Sequence, residues 1–136
     1  MKFNHTNAEE INSPSVYVHD EIYDSLCFDR KEKTLKLLLI SWNGSKPKET
    51  NYSITFENIA GYEVSTCDFW GKSMFIYDME YVPINERVLF PRLVKRWKDI
   101  YNETDVFANG VSYIEILVTF HSGDELRVVC EDLIVE

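Results

Sequence analysis

At 136 residues, with 45% hydrophobic and 14% aromatic side chains, the chain suits a single domain (1–136) and is too apolar for intrinsic disorder. Its formal charge of −9 excludes general nucleic-acid binding, which needs a concentrated positive footprint, and makes a basic protein the natural electrostatic match. No apolar run reaches the roughly 18–20 residues of a membrane-spanning helix.

In chain order, residues 1–15 read as a weakly structured lead-in ending at Ser13-Pro14-Ser15, without the apolar stretch of a secretory signal. "IYDSLCFD" (22–29) alternates with Ile22, Leu26 and Phe28 on one face. "RKEK" (30–33) has the length of a four-residue hairpin loop built on a type I turn. "TLKLLLISW" (34–42) is apolar on both faces and reads as a central strand covered from two sides. "NGSKPKET" (43–50) is a polar loop.

"NYSITF" (51–56) is an alternating strand with Tyr52, Ile54 and Phe56 inward. After "ENIAG" come "YEVSTCDFW" and "KSMFIYDMEYV" (72–82), the latter with Phe75, Tyr77, Met79 and Tyr81 on one face and Asp78 and Glu80 on the other. Pro83, with no N–H for a ladder, ends it. Residues 91–101 form the one helix candidate, with Pro91 at its first position and Leu93, Val94, Trp97, Ile100 and Tyr101 as its apolar stripe. Residues 86–98 hold five basic side chains against one acid, so an acidic molecule carries one basic stripe. Residues 114–120 alternate as a strand, Ser122-Gly123-Asp124 turn, and Leu126, Val128 and Cys130 run back. The pattern predicts a mainly β (α+β) fold: an antiparallel two-layer sandwich or curled sheet of about seven strands, with one packed helix in the C-terminal half.

The densest chemistry lies in "CDFWG" (67–71). A reactive thiolate needs a positive neighbour or a helix N-terminus, and Asp68 opposes that, so Phe69 and Trp70 read as core and Gly71 as a bend. His19 and Asp20 are adjacent on an extended chain and point to opposite faces. His5, His19 and His121 have no metal-site spacing, and His121 falls at an exposed hairpin tip. Three scattered cysteines, Cys27, Cys67 and Cys130, fit neither a disulfide framework nor a zinc site; reduced and mostly buried thiols in a cytoplasmic protein are expected. Asp78 and Glu80 stand about 7 Å apart along a strand face, a spacing that also suits a solvated surface. No phosphate loop, nucleophile elbow or triad order is present, so no catalytic residue, metal or cofactor is expected.

"VHDEIYDSL" near the start, "TFENIAGYEVSTCDFWG" in the middle and "VTFHSGDELRVVCEDL" near the end together resemble small, acidic, β-rich bacterial proteins of uncharacterised function. Some of these resemble the immunity partners of polymorphic toxins. The resemblance implies a cytosolic, non-catalytic protein that binds another protein.

The expected function is therefore a protein-binding module, most concretely an immunity-type inhibitor whose acidic surface occludes a basic partner. Its candidate contacts are Asp20, Glu21, Asp24, Asp78 and Glu80, with Trp42 or Tyr81 as aromatic anchors. The alternative is a small-molecule domain with a pocket lined by Trp70, Phe75, Tyr77 and Tyr81. An enclosed aromatic cavity would favour the second, and a filled core the first. The basic 91–101 helix remains open as a docking face for an anionic partner.

Overall fold

The computed structural model describes residues 1–14, 16, 18, 21–40, 51–65, 75–101 and 112–136. Among the described residues, nine strands fall in two antiparallel sheets. They are β1 (Lys2–Phe3), β2 (Ile22–Asp29), β3 (Thr34–Ile40), β4 (Asn51–Glu57), β5 (Gly61–Val64), β6 (Ile76–Val82), β7 (Ile114–Phe120), β8 (Glu125–Cys130) and β9 (Asp132–Val135). The first sheet runs β1-β9-β4-β3-β2 and the second β5-β8-β7-β6. Helix α1 spans Leu89–Tyr101.

The mainly β, two-layer expectation is what the chain forms, with two open sheets and one α-helix among the described residues. Strand alternation accounts for the core between them. Leu35, Leu37 and Leu39 of β3, Ile54 and Phe56 of β4, Ile116 and Val118 of β7, and Leu126 and Val128 of β8 are all buried in one cluster. Each such side chain stabilises the fold by roughly 1.5–3 kcal/mol relative to leaving it in water. The opposite face of β3 is less covered than its sequence suggests, because Leu38 and Ile40 are only half-buried.

The two sheets are joined by a bent double ribbon. β4 continues into β5, and β8 into β9, and the two chains stay antiparallel neighbours on both sides of the bend. Between the pairs Glu57↔Asp132 and Gly61↔Val129 one chain advances four residues and the other three. Asn58, at φ 51°, lies within the extra residues; asparagine tolerates this left-handed conformation better than most side chains. The ladder can thus turn from one layer into the other without losing its pairing.

Both predicted turns form. Asp29 pairs with Thr34 across the 30–33 loop, with the Glu32 N–H donating to Asp29 Oδ1 at 3.0 Å. At the other turn Gly123 takes φ 89°, a conformation that favours glycine, and its N–H donates to the Phe120 carbonyl at 2.9 Å.

Several expectations need correction. Residues 1–15 are no loose lead-in in their described part: β1 pairs with β9, a 3-10 helix spans Ala8–Asn12, and Phe3, Ala8 and Ile11 join the core. β1 and β9 were missed as two- and four-residue strands, too short for a periodic signal. α1 begins two residues before Pro91, which still falls in the first turn, where no intrahelical partner awaits an N–H. Ile100 is exposed rather than part of the buried stripe. Cys27 is exposed while Cys130 is buried; Cys67 lies outside the described residues.

α1 lies against the face of the second sheet that points away from the core. Its anchor is Glu115, fully buried in β7. Glu115 Oε2 accepts the Val88 N–H at 2.9 Å, and Oε1 accepts the Phe90 N–H at 2.7 Å. Arg127 Nη1 donates to Oε2 at 3.2 Å. One carboxylate thus caps the helix from a neighbouring strand and answers a strand arginine, with the positive end of the helix dipole favouring its charge.

Candidate functional site

β6 is the outer strand of the second sheet, and edge strands expose unpaired amides. Here they are blocked one by one. The Ile76 N–H donates to the Glu21 carbonyl at 3.0 Å, the Met79 N–H to Asp78 Oδ1 at 2.9 Å, and the Tyr81 N–H to Asn12 Oδ1 at 3.0 Å. Of the residues that follow the 3-10 helix, Ser13, Pro14, Val16 and Val18 face β6. Between them lies an open groove of about 670 Å³.

Ile11, Val16, Val18 and Met79 give the groove apolar walls, and all four are buried. Asn12, Ser13 and Pro14 line one side and Tyr77, Asp78 and Glu80 the other. Asp78 and Glu80 are exposed, and the lining holds no cation among the described residues.

A β-bulge sets this arrangement. The pairs Ile76↔Phe120 and Asp78↔Thr119 leave Tyr77 as the extra residue. Without it, Tyr77 would share the face of Met79 and Tyr81, as the alternation predicts. With it, Ile76 and Met79 are both buried while Tyr77 is 54% exposed. Bulges commonly re-aim side chains in this way. The Tyr77 ring is edge-on to His121, with centroids 5.6 Å apart, and Phe75 approaches the same imidazole at 6.2 Å. His121 is exposed at its hairpin, as its sequence position suggested.

The structure brings some candidate residues together and separates others. Asp78, Glu80 and Tyr77 share the groove. Glu21 is buried, and its backbone, not its carboxylate, is what meets β6 in the contact just described. Asp24 is exposed and is itself the bulged residue of β2. The antiparallel bridge Ile22↔Phe75 sends Asp24 and Asp78 in opposite directions, about five residue steps or roughly 15 Å apart. Tyr81 is half-buried against the core rather than standing free as an anchor. Phe75 is half-buried. Asp20, Trp42 and Trp70, with all of "CDFWG", lie outside the described residues. Tyr77, turned outward by its bulge, does not join Tyr81 in lining a pocket inside the sheets.

Sequence reasoning missed two functional positions in this framework. Asn12 stood in a stretch read as loose, and its role depends on a strand 69 residues away. Glu115 was read as the polar half of an alternation. The available signal was a helix start without a serine, threonine, aspartate or asparagine cap, together with the one acid of β7.

On the basic side, Arg92 is paired with Glu63 of β5, while Lys95, Arg96 and Lys98 are exposed. Among the described residues, no group of three His, Cys, Asp or Glu could hold a metal ion. No helix among them is long and apolar enough to cross a membrane.

No protein-family model matches the chain, and no curated protein does. A solved structure with the same fold is the crystal structure of an uncharacterized protein from Neisseria gonorrhoeae. It is 14% identical, with a TM-score of 0.50, over 100% of this chain and 97% of that one. At that identity the likeness extends to the fold alone.

Proposed function

We propose that this is a non-catalytic protein-binding module, most concretely an immunity-type inhibitor that occludes a basic protein partner through its acidic surface. The observation that carries the reading is the groove beside β6, where two exposed carboxylates and an exposed tyrosine stand together with no cation among the described lining residues. An exposed aromatic beside charge is a common anchor in protein interfaces. Complementary charge raises the rate of encounter and suppresses wrong partners. The described residues between the sheets form a buried, mainly aliphatic cluster, which supports a surface partner over a ligand enclosed by aromatics. The cytoplasmic setting belongs to the same proposal.

The test has two stages. Immobilised protein and its Asp78→Lys/Glu80→Lys variant are used to capture proteins from the source cell, and any partner released by salt is identified. That partner is then produced with and without this protein, and its activity measured. Neutralisation by the wild type and not by the variant supports the reading. Capture of acidic proteins only, or equal neutralisation by both forms, overturns it.

A further inference from the structure

We infer that the groove beside β6 takes an extended segment carrying Lys or Arg at alternate positions, read through its side chains rather than by strand addition. The inference rests on the proposed capture of a basic partner and adds the chemistry of the contact. Asp78 and Glu80 are two residues apart on one strand, and both are exposed. Their spacing of about 7 Å equals the repeat between same-side residues of any extended chain. Cations at positions i and i+2 of a segment lying along β6 meet one carboxylate each.

Asp78 already uses Oδ1 on its neighbour's N–H, leaving Oδ2 for a single contact. Glu80 sits on the side of Asp78 away from Tyr77. Tyr77, 54% exposed, offers its ring to the stem or charge of the cation on Asp78. The residues between the cations face the opposite way, as alternate side chains of an extended chain do.

Strand addition is the competing mode. Its donors on the β6 side are occupied: the amides of Ile76, Met79 and Tyr81 already donate to Glu21, Asp78 and Asn12. Side chains therefore carry the recognition.

The probes are fluorescein-labelled peptides with capped ends and equal charge: Val-Lys-Val-Lys-Val, its isomer Val-Lys-Lys-Val-Val, and the first peptide N-methylated on its valines. Anisotropy is measured at low salt with the full chain. The alternating peptide should bind about three- to five-fold tighter than its isomer, the upper part of the range for one exposed charged contact. N-methylation should change its affinity less than about two-fold, and Asp78→Lys/Glu80→Lys should abolish the preference.

Equal binding of the two isomers overturns the alternate spacing while leaving capture of a basic partner standing. Loss of binding on N-methylation overturns the side-chain mode in favour of strand addition. If neither peptide binds and the protein sediments as a dimer that the same double substitution dissociates, the occupant is a second copy of this chain and the inference fails.

Discussion

Glu115 shows how much one residue can organise. Its carboxylate is fully buried and serves two helix amides and one arginine. Removing it leaves Arg127 with Glu125 at 3.8 Å and takes the acceptor from two part-buried helix amides. Glu115→Ala should cost about 3–5 kcal/mol, the range for breaking a buried pair from one side, and should fray the start of α1. Denaturant melts followed by circular dichroism check both. Cys130 is a second buried group with a stated consequence. Burial pushes its thiol well above the ordinary value of 9.0, with Asp132 and then Glu131 adding repulsion. A folded-state value above the unfolded one means that this thiol's contribution is fully present below about pH 9 and is lost as pH rises beyond it. The slope approaches about 1.4 kcal/mol per pH unit for one proton. Cys130→Ala should flatten that alkaline slope relative to the parent in melts across pH 8–11, whatever its offset from the lost packing. Neither role was legible in the sequence beyond a bare pattern. The burial of Cys130 follows from strand alternation, but the partners of Glu115 lie 12 to 27 residues away along the chain.

At the level of elements, alternation located β2, β3, β4 and β7 closely, because each holds at least seven residues with one apolar face. It failed at β6, where one inserted residue inverts the face of everything before it. Tyr77 and Met79 therefore make opposite predictions from the same strand. Met79→Ala should destabilise by about 2–5 kcal/mol. Tyr77→Ala should stay within about 0.5 kcal/mol in stability, as surface substitutions do, and reduce partner binding instead. Equal losses of stability from the two would mean that the bulge does not turn Tyr77 outward. The seat of α1 is tight in a way that composition cannot reveal. A Cβ on Gly61 of β5 would come within 2.8 Å of both Leu93 methyl carbons. Those are the ends of a flexible side chain, so Gly61→Ala should cost only about 1 kcal/mol, at the mild end of overpacking. In the Leu93→Ala background the penalty should vanish, and a double-mutant cycle measures that coupling.

For the whole molecule, charge is the property most legible in the sequence and least dependent on exact placement. A total of −9 sets a field that attracts basic proteins before any contact forms, and the groove beside β6 combines two carboxylates with an exposed aromatic. The sequence left open whether this acidic side or the basic helix does the docking, and the two surfaces make opposite kinetic predictions. Asp78→Lys/Glu80→Lys changes the net charge from −9 to −5 without removing core volume, since both side chains are exposed. Its on-rate for the captured basic partner should fall by about ten-fold or more at low salt, in line with steering effects. That loss should shrink as salt rises, because exposed charges are screened over roughly 8–10 Å near physiological ionic strength. The complementary variant is Lys95→Glu/Arg96→Glu, chosen because Arg92 is already engaged with Glu63. It makes the molecule more acidic and should leave association unchanged or quicken it. Stopped-flow binding of both variants over a salt series separates the cases. If the helix variant loses binding while the groove variant keeps it, the docking face is the basic stripe of α1, and its partner is anionic.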